Sequence, residues 1–175
     1  MKISDERKDI EQALDTYRDL LDTVTDEQFA ASPKDGGWSI AEVYSHILQA
    51  TLGSSIAAER CINGTCQTTG KGPTLLGRLV LFFRRFPIKI KTPEGEAVLP
   101  KATKISKEEA RNLIIKCRRR MDIIASRITE ESGIHKIKHP RLGMFNGRQW
   151  FRFILIHLEH HLKQIGRLKN KFPDS

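Results

Sequence analysis

Three of the six histidines lie within five positions of one another, in the segment HLEHHLKQI (157–165). A neutral imidazole can bind a metal ion or act as an acid–base group near pH 7. His157 and His161 have the i,i+4 helical spacing at which two ring nitrogens can reach one ion. The zinc-protease motif places a glutamate directly after the first histidine, whereas Leu158 follows here. The pair therefore predicts either a different metal site or two hydrogen-bonded core histidines.

The helix that must position this pair begins after Asn146-Gly147 and extends to about Lys169. At about 100° per residue, His157 and His161 lie on its apolar face, while His160 lies to the side. The same face carries Trp150, Ile154, Gln164, Ile165 and Leu168. Two imidazoles on an apolar face need polar partners, because burying an unpaired polar group costs a few kcal/mol.

A preceding helix supplies a third candidate, His46. The segment S-I-A-E (39–42) is a capping box that starts this helix, and apolar periodicity extends it to about Arg60. His46 lies on the flank of its apolar face, where it can face a neighbouring helix. Three histidines from two helices would leave an open position on a bound ion, as is typical of catalytic sites. Neutral imidazoles suit Zn, Ni, Cu or Fe.

Two further amphipathic helices complete the predicted architecture. Apolar residues recur at three- and four-residue steps from Ile10 to Val24, and again from Leu113 to Ile128 after a second capping box. Four amphipathic helices without a set of alternating strands predict an all-α protein, a four-helix bundle in which residues 1–175 form a single domain.

A long connection, residues 62–105, separates the second and third predicted helices. Connections of this length are usually functional or mobile. Its basic and aromatic stretch LLGRLVLFFRRF (75–86) predicts a short helix that closes one end of the bundle. Contact of this stretch with a membrane surface is the alternative.

Composition and charge limit the functions to be considered. With 39% hydrophobic and 29% charged residues, no apolar N-terminal segment and no stretch long enough to span a bilayer, the sequence predicts a cytoplasmic globular protein. Residues 1–60 carry 6 Lys/Arg against 12 Asp/Glu, and residues 61–175 carry 24 against 9. This asymmetry favours either solvated helix faces or a basic face for an anionic ligand, and no nucleic-acid-binding motif accompanies it.

The remaining residues of chemical interest carry weaker signals. Cys61 and Cys66 lack a second pair at zinc-finger spacing, and with Cys117 they make an odd number that suits a reducing compartment. His135 and His139 belong to the basic segment IHKIKHP, and we interpret them as surface or loop-packing residues.

Two stretches together resemble signature elements of the DinB/YfiT-like four-helix bundle superfamily. In GGWSIAEVYSHILQA (36–50), a tryptophan precedes a capped helix that carries a histidine. In HPRLGMFNGRQWFRFILIHLEHHLKQIGRL (139–168), a His-Pro loop leads into a helix with H-x3-H and Gln-Ile. The resemblance implies that His46, His157 and His161 bind a divalent metal, most often zinc or nickel. It implies that His160 does not bind the metal.

The resemblance also implies a reaction class, because characterised members include S-transferases that use low-molecular-weight thiols, a thiol-dependent isomerase and proteins assigned as hydrolases. We therefore expect a metal-dependent enzyme that transfers a low-molecular-weight thiol to an electrophile or hydrolyses a small-molecule substrate, and that is compatible with a homodimer. Four residues are candidates to line the site: Tyr44, Asn146, Trp150 and Gln164. Four basic residues are candidates to receive the acidic groups of a thiol: Lys71, Arg78, Arg84 and Arg85.

Two alternatives stand beside this prediction. A metal-binding bundle without catalytic activity would carry the same histidines. A nucleic-acid-binding module would account for the basic segments RRRM (118–121) and IHKIKHPR (134–141), although the missing binding motif makes a nucleic-acid partner the less expected outcome.

Overall fold

The computed structural model of the chain describes residues 2–86, 102–128 and 133–171. Its elements, in chain order, are α1 (Ile3–Leu21), α2 (Asp26–Ala30), α3 (Ile40–Ile62), α4 (Leu75–Phe83), α5 (Lys107–Ala125), β1 (Ile137–His139), β2 (Gly143–Phe145) and α6 (Gly147–Lys169). The long helices α1, α3, α5 and α6 form a four-helix bundle, which confirms the predicted fold class. Both α1 and α3 pack against α5 and α6, so α1 and α3 occupy opposite corners of the bundle.

The start of α3 is fixed by the predicted capping box. Ser39 Oγ accepts a hydrogen bond from the Glu42 amide at 3.2 Å, and Glu42 Oε2 accepts one from the Ser39 amide at 2.8 Å. These bonds satisfy amide groups that have no partner within the helix. Asn146 and Gln149 form an equivalent box at the start of α6. The two helices that carry the histidine candidates therefore begin at defined residues.

Two buried tyrosines connect these helices to α1. The Tyr17 hydroxyl donates to the Leu158 carbonyl at 2.9 Å, and the Tyr44 hydroxyl donates to the Tyr17 carbonyl at 2.8 Å. Both side chains are almost completely buried, and burial raises the pKa of each phenol. The bonds fix α3 and α6 relative to α1 close to His46 and His157.

The predicted short helix is present as α4, whose Val80 and Leu81 are buried in the core. The prediction that 62–105 is a long connection lies partly outside the described residues, at 87–101. Within the described part, the connection includes α4 as well as turns. No helix among the described ranges is long and apolar enough to span a membrane.

Some elements differ from the sequence expectations. The first helix ends at Leu21, one turn before Val24, and a short capped helix, α2, follows it. The basic segment before α6 forms an antiparallel hairpin in which Ile137 pairs with Phe145. Strands of three residues are too short to show a clear alternating pattern, so the sequence predicted no strand here. Gly143 has φ +90°, and a Cβ there would lie 2.6 Å from the Thr74 amide nitrogen.

Candidate metal centre

The three predicted ligands, His46, His157 and His161, come together where α3 packs against α6. One nitrogen of each imidazole lies within 4.8 Å of the corresponding nitrogens of the other two. The Nε2 atoms of His157 and His161 are 3.0 Å apart. The ring centroid of His46 lies 5.3 Å from that of His157 and 4.9 Å from that of His161. The helical phase expected for the i,i+4 pair and the flank position of His46 together produce this arrangement.

The separation of the His157 and His161 nitrogens is close to that of two ligands of one small cation, while separations of up to 4.8 Å within the group require the rings to move closer together on binding. Two nitrogens that bind a tetrahedral zinc ion at about 2.0–2.1 Å lie about 3.3 Å apart. The 3.0 Å separation of the His157 and His161 nitrogens therefore requires only a small opening. At that distance the two nitrogens cannot both direct lone pairs at each other unless a proton or a cation lies between them. The donor set of three imidazoles suits zinc, nickel, copper or iron.

A hydrogen bond from His161 to Gln164 fixes which imidazole nitrogen faces the group. His161 Nδ1 lies 2.8 Å from Gln164 Oε1. An amide oxygen only accepts hydrogen bonds, so Nδ1 carries the proton and Nε2 keeps its lone pair. Such partners on the second nitrogen are typical of metal-binding histidines.

Burial keeps the imidazoles neutral. Desolvation, followed by the neighbouring histidines, lowers the pKa of His46 to about 4 and that of His161 to about 3. The pKa of His157 is also lowered well below its usual value, first by desolvation and then by His161. At pH 7 all three are therefore in the neutral form that a metal requires, with a lone pair on one ring nitrogen.

Aromatic rings surround the three imidazoles. The Trp38 ring lies 4.9 Å from His46, and Phe153 stacks on His157 at 5.2 Å. Phe86, just beyond α4, lies 6.2 Å from His157. These rings were missing from the predicted site. Phe153 could have been found, because it lies one turn before His157 on the same helix, whereas the position of Phe86 depends on the path of the connection.

The four predicted lining residues differ in their positions. Gln164 touches the site directly, and Trp150 reaches it through Phe153, at 6.0 Å between ring centroids. The side chains of Tyr44 and Asn146 make hydrogen bonds elsewhere. The Tyr44 hydroxyl bonds to α1, and the Asn146 side chain caps α6 about three turns before His157.

The histidines outside the group occupy distinct environments. His160 is half-buried beside Phe86, with ring centroids 4.7 Å apart, and lies outside the group. His139 Nδ1 accepts hydrogen bonds from the amides of Arg141 and Leu142, each at 3.2 Å. Desolvation lowers its pKa to about 4, with a further contribution from Arg141. His139 is therefore a packing residue of the hairpin, as we interpreted it.

The fold is a four-helix bundle in which three neutral imidazoles from two of the helices lie close together. Residues 9–165 match the family model of the DinB superfamily. Because the match covers most of the sequence, the chain belongs to the DinB superfamily. The comparison with curated proteins gave no significant match.

Two solved structures share the fold. TT2238, described as a four-helix bundle protein, aligns with a TM-score of 0.64 and 17% identity, over 95% of this chain and 99% of that chain. YfiT from Bacillus subtilis aligns with a TM-score of 0.67 and 15% identity, over 99% of this chain and 89% of that chain. YfiT is described as a probable metal-dependent hydrolase with an unusual four-helix bundle topology. At these identities the likeness shows the fold alone.

Proposed function

We propose that this protein is a metal-dependent enzyme whose divalent ion is held by His46, His157 and His161. The observation that carries the proposal is the convergence of three neutral imidazole nitrogens within 4.8 Å, from two helices. Zinc or nickel suits this donor set. Three protein ligands leave a fourth position open for water or substrate, as in catalytic rather than structural sites.

The bound ion would supply Lewis acidity that lowers the pKa of a water molecule or a thiol in the open position. The protein's own residues would prepare this position. Gln164 holds the His161 tautomer, and the rings of Trp38, Phe86 and Phe153 provide an apolar surround that strengthens local electrostatic interactions.

The first reaction we propose is transfer of a low-molecular-weight thiol to a small electrophile. The thiol loses its proton, its sulfur forms a bond to the electrophilic carbon, and the leaving group departs with its electron pair. Basic residues around α4 would bind the acidic groups of such a thiol. Lys71 before α4, Arg78 within it and Arg85 beyond its end are exposed, and the Arg84 guanidinium lies 3.8 Å from the Asp9 carboxylate.

Hydrolysis of a small substrate is the second candidate. The fold that the chain shares with YfiT, a probable metal-dependent hydrolase, favours it. The same three histidines would serve, with water in place of the thiol as the nucleophile. The two reactions therefore differ in their requirement for a thiol and not in the residues that hold the ion.

The metal site is tested by elemental analysis of untagged protein purified without a chelator. We expect about one zinc or nickel ion per chain, bound by three protein ligands. Replacing His46, His157 or His161 by alanine should remove most of it. His160→Ala is the matched control, because His160 lies on the same helix but outside the group, and it should retain the ion.

Two results would contradict the proposal. Equal metal loss from all four variants would mean that the ion is not bound by this group. A wild-type protein that takes up no ion, even after incubation with each candidate metal, would leave the histidines as a buried polar cluster. A metal-binding protein without catalytic activity would give a different result. It would retain the ion and unfold when the ion is removed, and it would show no turnover with any pair of thiol and electrophile.

A further inference from the structure

A tight turn at the end of α3 brings two cysteines together. α3 ends at Ile62, and Gly64, with φ +66°, reverses the chain. The Thr65 amide donates to the Arg60 carbonyl at 2.9 Å, a six-to-one bond that is typical of a glycine-terminated helix. A Cβ at this position would lie 3.2 Å from the His135 ring, so a larger residue would also require that ring to shift. The turn places Cys66 over the last turn of α3.

The two sulfur atoms are in contact. Cys66 Sγ lies 3.7 Å from Cys61 Sγ, and the Cys61 thiol donates in turn to the Phe145 carbonyl at 3.7 Å. Cys61 is completely buried, whereas Cys66 is only half-buried. A disulfide requires an S–S distance of about 2.05 Å. Rotation of the two side chains must therefore bring the sulfur atoms closer together than they are now.

We propose that Cys61 and Cys66 form a dithiol modification site that a low-molecular-weight disulfide converts into an intramolecular disulfide. The Cys66 thiolate attacks one sulfur of the small disulfide, and the first small thiol leaves. Cys61 then loses its proton and attacks Cys66 Sγ, which releases the second small thiol. The two protein thiols lose two electrons and two protons, and the small disulfide gains them.

The environments of the two sulfurs set the order of these steps. Cys66 is the accessible thiol and meets the small disulfide first. Burial, followed by the hydrogen bond from Cys66, raises the pKa of the Cys61 thiol to about 12. Cys61 therefore stays protonated at neutral pH and reacts only with a sulfur already beside it. Because only Cys66 is accessible to the small disulfide, a mixed disulfide on Cys66 precedes the internal disulfide.

The cysteine pair is separate from the metal centre. Cys61 follows His46 by fifteen residues on α3, which corresponds to about 22 Å along the helix. Cys117 has a different environment, because its buried thiol lies 3.6 Å from the Leu48 carbonyl. It serves as an internal reference thiol.

The test is the reaction of fully reduced protein with an excess of oxidised glutathione, quenched with acid and followed by intact mass and by thiol titration under denaturing conditions. We expect the wild-type mass to fall by two hydrogens, with two molecules of glutathione released per chain and one titratable thiol left. Peptide mapping should find the bond between Cys61 and Cys66. This measurement requires no variant, so it does not depend on the folding of a mutant.

The variants assign the steps. C61S should accumulate one glutathione moiety on Cys66, C66S should acquire neither an adduct nor a disulfide, and C117S should form the disulfide as the wild type does. A wild-type protein that keeps three thiols would overturn the proposal. A stable glutathione adduct without the internal bond would also overturn it. So would a C66S variant that loses as many titratable thiols as the wild type does.

Discussion

The Gln164 side chain accepts a hydrogen bond from His161 across 2.8 Å, one turn beyond the i,i+4 histidine pair on α6. This bond places the proton of His161 on Nδ1 and leaves the Nε2 lone pair directed at the nitrogens of His157 and His46. Gln164 therefore acts as a positioning residue for the proposed ion through His161.

Gln164→Ala should weaken metal binding about 10- to 100-fold, the usual effect of losing a partner of a metal-binding histidine. The dissociation constant is measured by competition with a chromophoric chelator. Gln164→Glu is the matched variant, because it keeps an acceptor oxygen at the same position and should bind at least as tightly as the wild type. An alanine variant with wild-type affinity would show that the His161 tautomer does not depend on Gln164.

The metal-free protein should lose stability as the pH falls from about 6.5 towards 4. An unfolded histidine has a pKa near 6.5, whereas burial lowers the pKa of His46 to about 4 and that of His161 to about 3. Between these values the unfolded state binds more protons, so the free energy of unfolding rises with pH. Above 6.5 both states are neutral and this dependence disappears.

This pH dependence is measured by urea unfolding of chelator-treated protein at several pH values. Carboxylates that are paired with arginines also lose their contribution in acid, so the wild type alone does not isolate the histidines. The double variant His46→Asn/His161→Asn provides the comparison, because it lacks two of the groups. It should show a shallower slope between pH 4.5 and 6.5, and an unchanged slope would assign the effect to other groups.

Acidic residues of the segment 1–60 form ion pairs across the bundle with basic residues of the segment 61–175. Arg118 on α5 contacts Glu11 and Asp15 of α1, the latter at 2.6 Å, and Arg120 contacts Glu59 of α3 at 2.8 Å. The hydrogen bond from Arg118 is the largest cause of the lowered pKa of Asp15. Two arginines of the RRRM segment are thus engaged within the bundle, which weakens the nucleic-acid alternative.

Arg118→Ala should destabilise the fold by about 0.5–1 kcal/mol, since its ion pairs are partly exposed. Part of this loss should disappear in high salt, which screens the charges. Arg119→Ala is the matched control, because Arg119 is the exposed neighbour on the same helix, and it should change the free energy of unfolding by less. Equal effects of the two variants would mean that the pairs contribute no specific stabilisation.

The helical positions of the three histidines were predictable because they depend on local rules, and their convergence between two helices was implied by the family resemblance. Helical phase places His157 and His161 on one face, and a capping box fixes the start of α3 about two turns before His46. Phe86 and the hairpin were not predictable in this way. Phe86 reaches His157 through the path of a connection, and the pairing of Ile137 with Phe145 involves only three-residue strands. The role of Gln164 depends on a side-chain rotamer, which periodicity does not specify.

The requirement for a thiol separates the two candidate reactions. Metal-loaded protein is incubated with small electrophiles, with and without low-molecular-weight thiols, and the products are identified by mass. We expect turnover only with an added thiol and a product that contains it, because the proposed open position takes the thiol as nucleophile. His46→Ala should abolish this turnover and His160→Ala should retain it. Full turnover in water alone, again lost in His46→Ala, would instead identify hydrolysis at the same three histidines.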